Sequence, residues 1–264
     1  MRDGRGFVAR GKVTDMNAPL HENTRTLVLT GASRGIGHAT VKKFGASGWR
    51  IVTVSRQPFS VLCPWPGGGE NHVQLDLADP LELGRGIEEI RKRLGGKLDA
   101  LVNNAAISPK NKDGTRLGAI DTPFDLWRQV FNVNFFAPVA LARGLIKELS
   151  AAHGAVVNVT SIAGSRVHPF AGSAYATSKA ALAALTREMA HDFGPLGIRV
   201  NAIAPGEINT SILSPGTEKI VENQIPMRRL GTPDEVADVI HFLCEKGASY
   251  VSGAEIQING GQHV

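Results

Sequence analysis

The chain has 264 residues, of which 42% are hydrophobic and 20% charged, and it carries a formal net charge of +5. That is long enough to bury a full core and ordinary for a soluble globular protein. No apolar stretch approaches the ~20 residues of a membrane span, and the basic residues are scattered rather than gathered into a nucleic-acid face.

No apolar block follows the early arginines, so no signal peptide is read there and a cytoplasmic location is expected. Cys63 and Cys244 lie far apart without a CxxC, and the eight histidines are dispersed, so no metal site is expected. Residues 1–24 lack periodicity and read as a mobile N-terminal extension, with Met16 inside it as an alternative start of translation. Residues 25–264 read as one domain, without internal repeat or shift of composition.

From Thr26 onward apolar runs alternate with helical patterns. "TLVLT" (26–30) reads as a strand ending in a glycine-rich turn, and "HATVKKFGAS" as the helix after it. "RIVTVS" (50–55) and "HVQLDL" (72–77) are strands, "PLELGRGIEEIRKRL" a helix, and "ALVNN" (100–104) a strand. A long helix is expected from Pro123 to about Leu149, then strand "AVVNVTS" (155–161), a helix from about Ser173 to Phe193, and strand "IRVNAIA" (198–204). Thr232 is a good N-cap for "PDEVADVIHFLCE", and "AEIQI" (254–258) closes the set. β-branched strands alternating with helices predict an α/β fold, a doubly wound (Rossmann) parallel sheet of about seven strands with helices on both faces. Its ligand site lies at the C-terminal strand ends.

"TGASRGIG" (30–37) falls between the first strand and the first helix, where a dinucleotide needs it. Gly31 permits a tight turn, Gly35 and Gly37 permit close approach of a pyrophosphate, and the helix start offers free N–H groups and a positive dipole end. The spacing is G-x-x-x-G-x-G rather than the commoner G-x-G-x-x-G. At the end of the second strand, Ser55 and Arg56 stand where a carboxylate would bind an adenosine ribose 2′-hydroxyl. Arg56, with Arg34 from the turn, suits a 2′-phosphate instead, which favours NADP(H) over NAD. Asp76, at the end of the third strand, is a candidate for the adenine edge.

"GSAYATSKAALAAL" begins at Gly172 and places Tyr175 and Lys179 four residues apart, on one helical face among small residues. Such a helix could be merely solvated. It could equally bring a phenol and an ammonium group to a ligand. A phenol near pKa ~10 is a poor base at neutral pH, and a cation beside it moves it towards the working range.

With these residues assembled, the chain resembles the classical short-chain dehydrogenase/reductase family over residues 25–261. The landmarks are "TGASRGIG", "NNAA" (103–106), Asn134, Ser161, "YATSK" (175–179) and "APGEINT" (204–210), and with "IPMRRLGTPDEVA" they look most like the 3-oxoacyl-acyl-carrier-protein reductase branch. The resemblance implies Tyr175 as acid/base, Lys179 on the nicotinamide ribose and lowering the phenol's pKa, Ser161 on the substrate oxygen, and Asn134 holding a water. It places Gly31, Ser33, Arg34, Gly35, Ile36, Gly37, Arg56, Asp76, Leu77, Asn103 and Ala105 along the cofactor, and Pro205, Gly206, Ile208 and Thr210 beside the nicotinamide. It also implies a homotetramer built on the helices beginning near Pro123 and Ser173.

The implied activity is NADP(H)-dependent interconversion of a carbonyl and a secondary alcohol. The alternatives are an NAD-dependent polyol or hydroxy-acid dehydrogenase and a non-catalytic NADP-binding regulatory protein; no nucleic-acid or membrane partner is expected. The chain departs from the branch at Ala106, in a longer segment between Asn104 and Asn134, and in the 14 residues separating Ser161 from Tyr175. These changes fall beside the expected pocket, where loops 107–122, 163–173 and 208–226 set selectivity, the last as a lid. Within those loops Lys110, Lys112, Arg116 and Arg166 could attract an anionic substrate or simply be loop charges, and His168 is expected to be solvated.

Overall fold

A computed structural model describes residues 24–60, 67–211, 213, 214 and 216–264. The expected N-terminal extension and Cys63 lie outside them. Seven strands form one parallel sheet in the order β3-β2-β1-β4-β5-β6-β7. They are β1 (Thr26–Thr30), β2 (Arg50–Ser55), β3 (His72–Gln74), β4 (Ala100–Asn103), β5 (Ala155–Val159), β6 (Arg199–Pro205) and β7 (Glu255–Ile258). β1, β4 and β5 are buried along their whole length, which is why their sequences read as continuous apolar runs rather than alternating ones.

Two cores lie on opposite faces of the sheet. One packs α2 (Pro80–Leu94), α4 (Ala137–Gly144) and α6 (Ser173–Phe193) through Ile90, Leu141 and Met189. The other packs α1 (Gly35–Ala46) and α8 (Pro233–Cys244) through Phe44, Ile240 and Leu243. Helix ends follow local chemistry. Asp79 caps α2 through Leu81 and Glu82 N–H, Gly95 ends it in the left-handed region, and Thr232 with Glu235 forms a capping box on α8.

Two expected elements differ. The third strand stops at Gln74 rather than residue 77, because the Asp76 carboxylate turns to accept from Ala78 N–H at 2.9 Å and bends the chain out of the ladder. The long helix from Pro123 is broken into α3 (Phe124–Phe131), a π-helical turn over Asn132–Phe136, α4, and α5 (Ile146–Ala152). Pro138 has no N–H to return to the carbonyl of Asn134, and π turns of this kind concentrate at functional sites.

Strand order reverses between β1 and β4, so a crevice opens over their C-terminal ends. The glycine turn follows β1, and "NNAA" follows β4. No helix among the described residues is long and apolar enough to cross a membrane, and no group of three His, Cys, Asp or Glu side chains among them is placed to hold a metal.

Candidate active site

At the reversal of strand order, Gly31 has φ +72°, and a Cβ there would lie 2.8 Å from the Ala105 Cα. At Gly37 a Cβ would sit 2.1 Å from the Gly31 carbonyl oxygen, so no larger residue fits without moving backbone. The side-chain amide of Asn104 donates to the carbonyls of Thr30 and Gly31, both at 3.0 Å, and fixes the turn. Thr30 Oγ1 accepts from the N–H groups of Asn104 and Ala105. Thr30 and Asn104 lie inside "TGASRGIG" and "NNAA", but their bonding to each other is not legible in either motif because it joins the ends of β1 and β4.

Helix α1 begins after Arg34 with no side-chain cap on its first N–H groups and no acidic residue in its first turn. Those N–H groups and the positive dipole end can take an anion, and Ile36 lies in the same first turn. Ser33, Arg34 and Arg56 are exposed, and neither arginine pairs with a carboxylate among the described residues. The glycine turn and the uncapped helix start fit the pyrophosphate of a nicotinamide dinucleotide, with Arg34 exposed in the turn and Arg56 exposed just after β2. Asp76 is half-buried with one oxygen occupied by Ala78, Leu77 is buried, and Ala105 is half-buried against Gly31. Asn103 turns its side chain away from the crevice, donating to Asn158 Oδ1 at 2.8 Å, and Asn158 donates on to Thr186 at 2.9 Å. That buried ladder ties β4 and β5 to α6.

The second half of the crevice lies over β5 and β6. Val159 pairs with Ile203, so Ser161 just past β5 faces Pro205 and Gly206 at the end of β6. Gly206 N–H donates to Ile258 O at 2.9 Å, and a Cβ there would meet Asn259 at 2.6 Å. Ile208 is buried and bridges to Gly231, while Thr210 approaches Gly35, whose Cβ would lie 3.2 Å from Thr210 Cγ2. The segment after β6 therefore reaches back over the glycine turn.

Helix α6 supplies Tyr175 and Lys179. Lys179 is buried at 1% exposure and donates to Val159 O at 2.6 Å, with its ammonium 5.8 Å from the centre of the Tyr175 ring. Burial lowers its pKa to about 7, so near neutral pH it is divided between charged and neutral forms. Burial also pushes the Tyr175 phenol upward, the Ser161 hydroxyl pulls it back as a hydrogen-bond partner, and the charge of Glu207 pushes it up again. Burial, not Lys179, is the leading influence on this phenol. Asn134, in the π turn, bonds Ile107 through both ends of its amide and donates to Ser178 Oγ at 3.0 Å. Ser178 donates to Tyr175 O at 2.7 Å, so Asn134 is connected to the Tyr175 backbone. Both N–H bonds of the Asn134 amide are spent within the protein, which leaves only acceptor positions on this residue for a water.

His168 is not solvated. It is buried at 9% exposure and its Nε2 lies 2.5 Å from Glu207 Oε1. The partner is 39 residues away and reaches it only because β6 lies beside β5. Three of the four loop cations are tethered: Arg116 donates to Ala171 O at 2.7 Å, Arg166 donates to Gln262 O at 2.5 Å, and Lys110 donates to Ser214 Oγ.

A family model described as Enoyl-(Acyl carrier protein) reductase matches residues 31–263. Protein FixR of Bradyrhizobium diazoefficiens is 62% identical over 242 residues, covering 91% of this chain and 87% of that protein. The 3-oxoacyl-[acyl-carrier-protein] reductase FabG of Aquifex aeolicus is 32% identical, covering 89% and 95%. A crystal structure of a short-chain dehydrogenase/reductase family oxidoreductase from Brucella ovis, in complex with a partially ordered NAD, superposes with a TM-score of 0.78 at 62% identity. That superposition covers 89% of this chain and all of that one. With its seven-stranded parallel sheet and this span of similarity, the chain belongs to the short-chain dehydrogenase/reductase family and resembles its 3-oxoacyl-acyl-carrier-protein reductases.

Proposed function

We propose that this oxidoreductase interconverts a carbonyl and a secondary alcohol with NADP(H), using Tyr175 as the acid/base. The observation that carries the reading is the convergence of Tyr175, Lys179 and Ser161 over the end of β5, beside the glycine turn of β1. When bound, the dinucleotide supplies a hydride to the carbonyl carbon, or accepts it in the oxidative direction. Ser161 holds the substrate oxygen, and the Tyr175 hydroxyl gives that oxygen a proton on reduction or removes it on oxidation. Lys179 binds the nicotinamide ribose and, when charged, stabilises the phenolate left behind. Asn134 anchors α6 through Ser178 and keeps Tyr175 at its post.

The preference for NADP(H) rests on Arg34 and Arg56 and on the absence of a carboxylate at Ser55. A second reading, NAD dependence, is favoured by the NAD found with the Brucella protein. Titration with NADPH and NADH, followed by quenching of protein fluorescence, separates them. Tighter NADPH binding that weakens at least about tenfold in Arg56→Ala, the size of a lost charge-assisted contact, supports the first reading. Equal affinity, or indifference to Arg56, supports the second. We further propose a cytoplasmic homotetramer assembled on α3, α4 and α6; a monomer in light scattering at micromolar concentration argues against it.

A further inference from the structure

The contact between His168 and Glu207 sits at the reacting end of the crevice and has no part in the chemistry described above. Glu207 follows β6 and His168 lies in the loop between Ser161 and Tyr175, so both flank the place where a substrate oxygen would meet Ser161. Both side chains are almost buried, at 10% and 11% exposure. His168 Nδ1 accepts from Phe170 N–H at 3.3 Å, which assigns the ring's own proton to Nε2 and makes Nε2–H the donor to Glu207 Oε1. Glu207 thus brings a carboxylate into a nearly buried place, where a charge is costly unless something uses it.

That charge works against the acid/base, because it pushes the Tyr175 phenol away from the working range. A buried polar side chain nearby is without a partner. The Gln262 side chain is 1% exposed, and neither its Oε1 nor its Nε2 has a hydrogen-bond partner among the described residues. Its Oε1 lies 2.9 Å from where a Cβ on Gly206, the residue before Glu207, would stand. Buried polar groups are normally satisfied, so an unpaired amide packed against Gly206, the residue before the nearly buried Glu207, marks a place that polar substrate atoms complete. A pocket for an alkyl chain would leave both at a loss.

We propose that Glu207, held by His168, is a specificity-determining residue that accepts a hydrogen bond from a hydroxyl or ammonium group on the carbon next to the reacting carbonyl. The chain then selects α-hydroxy and α-amino ketones over plain ketones of the same size. This rests on the carbonyl-reducing reading of the same site and names its substrate class. His168 acts as a positioning residue, fixing the carboxylate rotamer so that its second oxygen faces the substrate.

The test compares hydroxyacetone, aminoacetone and 2-butanone in wild type, Glu207→Gln and His168→Gln, with whichever of NADPH and NADH binds more tightly. Wild type is expected to favour the two donor ketones by about tenfold or more in kcat/KM, the size of a charge-assisted hydrogen bond. In Glu207→Gln the aminoacetone to 2-butanone ratio collapses. The hydroxyacetone ratio falls less if the natural group is a hydroxyl, because the amide oxygen still accepts, so the variant separates the two donors. His168→Gln, which can still donate to Glu207, keeps more of both ratios than Glu207→Gln. Ratios near one in wild type, or ratios unmoved by Glu207→Gln in a variant with wild-type thermal unfolding, overturn the proposal.

A second readout stands apart from turnover. Calorimetric binding of 1,2-propanediol, 1-amino-2-propanol and 2-butanol to cofactor-loaded wild type and Glu207→Gln reads the subsite alone. If wild type reduces no ketone yet binds the donor alcohols more tightly in a Glu207-dependent way, the carbonyl reading fails and the subsite stands. Equal binding of all three overturns the subsite.

Discussion

The Lys179 ammonium donates to the Val159 carbonyl across 2.6 Å, so the cation beside Tyr175 is fastened to the last residue of β5. This bond ties α6 to the sheet one turn along the helix from the phenol. It also holds a lysine in surroundings dry enough to bring its pKa to about 7 from an ordinary 10.5.

The first prediction follows from that depression. Between about pH 7 and 10.5 the folded chain binds fewer protons at Lys179 than the unfolded chain, so its contribution to stability improves as pH rises through this window. Below about pH 7 the full cost of carrying the charge is present, of the order of a few kcal/mol. Lys179→Met removes that dependence. Relative to wild type, its unfolding midpoint should stand highest at pH 6 and lose that advantage steadily towards pH 10. A constant offset across the range would mean that Lys179 titrates normally. The slope is the test, because the variant also leaves Val159 O unpaired.

Tyr175→Phe removes the proton donor and keeps the ring. We expect ketone reduction to fall by about 10²–10⁴-fold, the usual contribution of general acid–base catalysis, with dinucleotide binding by fluorescence quenching almost unchanged. Equal rates in both proteins would remove Tyr175 from the chemistry.

Gly37→Ala forces a Cβ to within 2.1 Å of the Gly31 carbonyl, so the turn must move. Dinucleotide affinity should fall at least about tenfold, a modest cost for displacing backbone N–H groups from phosphate. Gly84→Ala is the contrast, since it lies within α2 with nothing inside 4 Å of its Cβ. There alanine should stabilise by about 0.5–1 kcal/mol through helix propensity, measured by urea unfolding, and leave cofactor binding alone.

Asn134→Ala leaves both backbone groups of Ile107 without their side-chain partner, and Ser178 without one of its contacts. Losing a buried amide with these bonds should cost about 2–3 kcal/mol in urea unfolding. Reduction should weaken too, because Asn134 steadies Tyr175 through Ser178. Unchanged stability would show that the π turn holds without this side chain.

Chain order, strand chemistry and the glycine turn were legible without coordinates, because each depends on neighbours in sequence. Apolar runs such as "TLVLT" and "AVVNV" become buried parallel strands, and Thr232 caps α8 with the residue three places on. Tyr175 and Lys179 share a face because a helix repeats every ~3.6 residues. What the sequence could not reveal depends on residues far apart in the chain. The side-chain bonds that Asn134 makes from the π turn go to Ile107, 27 residues earlier, and the inward turn of Asn103 depends on Asn158. His168 reads as a solvated loop histidine until β5 and β6 are paired, and only that pairing brings Glu207 against it. Local propensity is a property of adjacent residues, whereas a buried charge and its partner are decided by which strands lie side by side.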